Sequence, residues 1–108
     1  MIDRKNPLEG TTGFDWDGGN LGKNWTKHEV RWSESEEAFS QRPLLIATEE
    51  RHSQSEPRFA AWGQTATGRR LTIVFTIRES LIRVVSARDM SRTERRAYDN
   101  AAEAETDS

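Results

Sequence analysis

The sequence predicts a single α+β domain: an antiparallel sheet of about four strands, packed with two short N-terminal helices and one C-terminal helix. Three observations carry this. Leu71, Ile73, Phe75 and Ile77 alternate with Thr72, Val74 and Thr76, and the chain returns from Leu81 to Arg88 after Arg78-Glu79-Ser80, the pattern of a hairpin. Ser33 with Glu36 and Ser91 with Glu94 have capping-box spacing, so helices open on both sides of the strand-rich middle. The chain has 108 residues, 33% of them hydrophobic, which is material for one lean core and no second.

Residues 1–13, with Pro7, Gly10 and Gly13, show no periodicity and are expected to form a flexible N-terminal arm. Phe14-Asp15-Trp16-Asp17 alternates as a short strand, and Gly18-Gly19-Asn20 breaks it. Leu21, Trp25 and His28 then recur at helical spacing as the apolar side of a first helix. The second helix, opened by Ser33, turns Ala38 and Phe39 inward and stops before Pro43. Extended runs follow from Leu44 to Glu50 and from Arg58 to Thr65, separated by the polar loop around His52, with Phe59, Ala61 and Gly63 on one side. After the hairpin, the helix from Ser91 carries Ala97, Tyr98 and Ala101 on one face, and residues 102–108 form an acidic flexible tail. One sheet face is expected inward, burying Ile73, Phe75, Ile77 and Val85 and leaving Thr72 and Thr76 outside.

The net charge of −2 conceals strong segregation. Residues 1–57 hold seven basic and eleven acidic side chains, residues 58–98 nine basic and three acidic, and residues 99–108 four acids. All nine cations of the middle block are Arg, the residue suited to bidentate recognition of phosphate or carboxylate. The absence of Cys excludes a disulfide scaffold, a thiolate metal site and a Cys nucleophile; no cofactor or metal is expected. No apolar run approaches the roughly 20 residues of a membrane span, and Asp3, Arg4, Lys5 and Asn6 do not open a signal peptide, so a soluble cytoplasmic protein is expected.

In order along the chain stand Phe14-Asp15-Trp16-Asp17, Asn24, Lys27-His28, Val30, Glu34, Phe39, His52-Ser53, Glu56 and Arg58-Phe59. Gly63, Gly68-Arg69, Leu71, Arg83-Val84-Val85-Ser86-Ala87-Arg88, Arg92, Glu94-Arg95 and Tyr98 follow. This series resembles the BrnT family of bacterial type II toxins from about residue 14 to residue 98, and the toxin domain is placed at 14–101. The resemblance implies a RelE-like ribonuclease fold, cleavage of RNA, and neutralisation by a cognate BrnA-like ribbon-helix-helix antitoxin. It further implies a dimer of toxin–antitoxin pairs that reaches operator DNA only through the antitoxin. Asn20 stands where the family usually has Lys, Glu29 where it usually has Gly, and Ser40-Gln41-Arg42-Pro43 replaces the usual Asp-Pro helix end.

Cleaving RNA without a metal needs a base for the 2′-hydroxyl proton, cations for the phosphate and an acid for the departing 5′-oxygen. Arg58, Arg83 and Arg88 are the expected phosphate ligands. An odd spacing puts Arg83 and Arg88 on opposite faces of an ideal strand, so they share a site only if Arg88 lies past the strand end. The competing role is pairing with Glu56, Glu34 or Glu94. Imidazole is the side chain whose unperturbed titration, at about 6.5, falls nearest neutrality, so His28 is the best-matched general base by residue type, with His52 behind it. Tyr98 is expected to pack its ring and reach outward with its hydroxyl as acid or stacking group. Lys27, Arg69, Arg92 and Arg95 are expected RNA contacts, and Trp62 is the Trp suited to exposed stacking. Two functions fit: a toxin endoribonuclease, and a non-catalytic module that binds the antitoxin and supports operon repression.

Overall fold

The computed structural model describes residues 6–49 and 56–106. The elements run β1 (Gly13–Phe14), α1 (Lys23–His28), α2 (Trp32–Ser40), β2 (Leu45–Glu49), β3 (Arg58–Gln64), β4 (Arg70–Arg78), β5 (Leu81–Asp89) and α3 (Arg92–Thr106). They form a mixed five-stranded sheet of order β1-β5-β4-β3-β2, correcting the expected four antiparallel strands. The addition is β1, which pairs parallel to β5 through Gly13 and Phe14. The strand expected over Phe14–Asp17 ends at Phe14, because only Asp15 N–H still reaches Ile82 C=O. The polar loop with His52 lies outside the described residues. No helix among the described residues is long and apolar enough to cross a membrane.

The β4–β5 hairpin follows the alternation that foretold it. Glu79 and Ser80 both take positive φ, 52° and 70°, so a two-residue turn whose twist suits the strands joins them. One face of the sheet carries Ala61, Leu71, Ile73, Phe75, Ile82, Val84 and Ala87 against Val30, Ala38 and Phe39. Gly63 lies where α2 crosses β3; a Cβ there would stand 2.9 Å from Ala38 O, so only glycine permits this approach. Phe39 packs edge-on to both Phe14 and Phe75, and burying each such ring contributes about 1.5–3 kcal/mol.

Ile73 and Phe75 are buried as the alternation predicts, but Ile77 and Val85 are only half-buried, and Val84 takes the core position instead. The cause is a bulge. Val74 pairs with Ser86 and Phe75 with Val84, so Val85 has no partner on β4. Thr72 and Thr76 are buried too, against expectation, because the opposite face is covered as well. Thr72 donates to Glu94 at the start of α3, and Thr76 donates to Pro57 C=O. Tyr98 of α3 is buried on this second face.

α1 docks in a way that hydrophobic periodicity does not show. Leu21 and Trp25, the expected inward side, are 44% and 50% exposed, whereas Asn20 and Asn24 are buried. β1 covers only the first two residues of β5, so the backbone beyond needs other partners. Asn20 Nδ2 donates to Val84 C=O, Lys23 Nζ to Val85 C=O, and Asn24 Oδ1 accepts from Ala87 N–H. At α2 the cap forms earlier than Ser33 and Glu36: Glu34 accepts from Arg31 N–H. At α3 it forms as expected, Glu94 N–H donating to Ser91 Oγ and Ser91 N–H to Glu94 Oε1.

Candidate functional site

The bulge at Val85 decides where the arginines go. It shifts the alternation of β5 by one residue, so Arg83 and Arg88, an odd number apart, both leave the core face. Arg88 does not lie past the strand end; it is inside β5, paired with Thr72, while Arg83 pairs with Thr76. Thr72 and Thr76 are four residues apart on β4, about 13 Å at strand rise. The shared face therefore holds separate arginine positions.

At the Arg83 end, β3, β4, β5 and α1 frame a cavity of about 200 Å³ lined by Lys23, Glu56, Arg58, Thr76, Arg78 and Arg83 among others. Arg58 is next in register to Thr76, because Phe59 pairs with Phe75. Arg83 Nη1 is 2.9 Å from Asp17 Oδ2 and 3.4 Å from Asp15 Oδ2. Arg78 binds Glu56 at 2.7 and 3.1 Å. Among the described residues Arg58 makes no ion pair, and Lys23 spends its ammonium on a backbone carbonyl alone.

The carboxylates here stay ionised. The Arg83 guanidinium, then Gly19 N–H, holds Asp17 below the usual carboxylate range, and Arg78 does the same for Glu56. Asn20, the departure from the family's usual Lys, fixes the Asp17 loop: Asp17 N–H donates to Asn20 Oδ1, and Asn20 Nδ2 to Asp15 C=O.

At the other end Arg88 makes a two-point contact with Glu94, at 2.8 and 3.0 Å. Glu94 also accepts from Ser91 N–H and Thr72 Oγ1, and this set, Arg88 foremost, pulls its carboxyl down to about 2. Trp62 is half-buried beside it and, with Leu45, Ala97 and Tyr98, lines an apolar cavity of about 360 Å³ under α3. The Tyr98 hydroxyl does not reach outward: the side chain is buried, and the hydroxyl donates to Pro43 C=O in the chain that joins α2 to β2.

A third group gathers around Arg69, which binds Asp89, Glu34 and the carbonyls of Glu29 and His28. His28 is exposed at the end of α1 and is not among the residues lining the arginine cavity. Lys27 is exposed beside it; Arg92 and Arg95 are exposed on α3, Arg95 lying 3.8 Å from Asp99. Of the carboxylates weighed as competitors, Glu94 holds Arg88, Glu34 holds Arg69 and Glu56 holds Arg78. Among the described residues no group of three or more His, Asp or Glu is placed to hold a metal ion.

Sequence reasoning missed Lys23, Arg78, Thr76 and the placement of Glu56. One signal was present: Glu56 and Arg58 are two apart, so both project to one side at the entry to β3.

A small α+β domain gathers four cations around one cavity, Lys23 of α1 and Arg58, Arg78 and Arg83 of the sheet, and among the described residues Lys23 and Arg58 make no ion pair, a lining chemically suited to an oxyanion. Residues 16–94 match the model of the ribonuclease toxin BrnT of type II toxin-antitoxin systems, and the chain belongs to that family. No curated protein matches the chain.

Proposed function

We propose that the chain is a metal-independent endoribonuclease toxin with a RelE-like fold, acting in the bacterial cytoplasm, whose Arg58–Arg83 cavity binds the scissile phosphate. The observation that carries this is Arg58: a guanidinium with no ion pair among the described residues, in a cavity, two strands from Arg83 with Thr76 of β4 between them. Two such forks can stabilise the charge of a phosphorane, a role worth factors of about 10² to 10³. Arg88, some 13 Å along the strands, contacts a flanking phosphate rather than the same one. Lys27, Arg92 and Arg95 are exposed cations for the backbone beyond it. Proton transfer belongs to the cavity, not to His28 at the end of α1 or to Tyr98, whose hydroxyl is already bonded.

Incubating the full chain with single-stranded RNA tests this. Cleavage is expected in the presence of a chelator, with a loss of about 100-fold in Arg58→Ala; an inert wild-type chain overturns the reading. A specific observation favours a second one. Arg83 and Arg88 are both held by carboxylates of the chain itself, so this face is equally prepared for acidic side chains of an antitoxin. In that case co-expression with a ribbon-helix-helix partner yields a stable complex, a dimer of pairs, while the free chain leaves RNA intact.

A further inference from the structure

We propose that Glu56 is the proton acceptor of the cleavage and Lys23 the proton donor, a pairing that rests on the ribonuclease reading above. Among the described residues Glu56 is the only carboxylate lining the arginine cavity, and no imidazole among them lines it. Of the groups around this cavity, Arg58, Arg78, Arg83 and Lys23 are cations, and Asp15 and Asp17 lie beyond, both turned to Arg83. Arg78 fixes Glu56 through both oxygens, and each oxygen keeps a further lone pair. Thr76 pins Pro57, the residue between Glu56 and Arg58, by donating to its carbonyl. Base and phosphate ligand are thus carried on one short, anchored segment.

The step balances. Glu56 takes the 2′-hydroxyl proton as the 2′-oxygen attacks phosphorus; the O2′–P bond forms while the P–O5′ bond breaks, leaving a 2′,3′-cyclic phosphate. Lys23 Nζ, exposed and, among the described residues, bound to Val85 C=O alone, turns and gives its proton to O5′. Arg78 holds the Glu56 carboxyl low, which keeps it ionised in the neutral range while lowering its basicity, so its position in the cavity carries the assignment.

The test uses the full chain on two oligoribonucleotides, one ordinary and one with sulfur in place of the bridging 5′-oxygen, whose thiolate departs without a proton. Glu56→Gln is expected to lose about 100-fold or more on both substrates, and Lys23→Met to lose as much on ordinary RNA but to recover on the sulfur substrate. Arg78→Ala should move the acidic limb of the pH–rate profile up toward 4.5, the ordinary value for Glu, an effect that a merely structural Glu56 would not give. Thermal unfolding of each variant reports folding, and Glu56→Asp, which keeps a carboxylate, should retain the acidic limb. If the wild type cleaves and Glu56→Gln cleaves as fast, the assignment of the base falls and the ribonuclease reading stands. If the wild type is inert, the ribonuclease reading falls first and takes this one with it.

Discussion

Arg83 and Arg88 sit on the same strand and the same face, each bound to a carboxylate, yet their surroundings differ in kind. Arg88 is the more exposed side chain, 43% against 19%, but its partner is built into the fold: Glu94 is at once its counter-ion, the cap of α3 and the acceptor for Thr72. Arg83 is held by Asp17, itself 52% exposed on a loop with two glycines. The availability of a guanidinium to a ligand is therefore set by how firmly its carboxylate is held, not by its own exposure. On the ribonuclease reading, Arg83 gives up loop carboxylates to take a phosphate, whereas releasing Glu94 takes the Arg88 contact from the carboxylate that caps α3.

The sharpest way to break this contrast is to truncate each arginine in turn. Arg83→Ala should reduce RNA cleavage about 100-fold with little change in thermal stability. Arg88→Ala should reverse the pattern, lowering stability by about 1–3 kcal/mol because Glu94 loses its charged donors, with a smaller effect on cleavage. Equal losses of activity from both would show that the two ends act as one site.

The next effect is a pH dependence. Glu94 is lowered from 4.5 to about 2 in the folded chain. A depressed carboxyl contributes stability that is present above its unfolded value and is lost as pH falls through its folded one. Stability should therefore decline from about pH 4.5 toward pH 2, and Glu94→Gln should flatten that decline in a chemical-denaturation series. Asp17 is also lowered, but it is exposed and screened, so Asp17→Asn should leave the acid profile nearly unchanged. Its effect belongs to binding: removing one exposed carboxylate beside Arg83 should tighten RNA binding by up to about fivefold at low salt. That small gain should fade at high salt.

Much of this contrast was readable before any coordinates, and what was not had particular causes. The hairpin was legible because the alternation from Leu71 to Ile77 admits one period, and α3 because Ser91 and Glu94 form the cap their spacing announces. The bulge was not, since Val84-Val85-Ser86 contains no glycine or other local sign, and without it Arg83 and Arg88 fall on opposite faces. α1 was misread because amphipathic reasoning looks for apolar contacts, whereas this helix docks through Lys23 and Asn24, with Asn20 bonded to β5 just before it. The candidate site was legible in its cations on strands, Arg58 and Arg83. Lys23 and Glu56 escaped because tertiary packing alone brings α1 and the entry to β3 to the same cavity.

The side chains that satisfy the flank of β5 also limit how this protein can polymerise. A sheet with free backbone on both sides is a monomer unit with two reactive ends, and such units propagate into fibres. Here one end is quenched: β1 occupies the start of β5, and Asn20, Lys23 and Asn24 occupy the rest. Among the described residues only β2, at the far side, ends the sheet with a full strand. Among the described residues, strand addition is therefore expected at the β2 edge and not along the flank of β5.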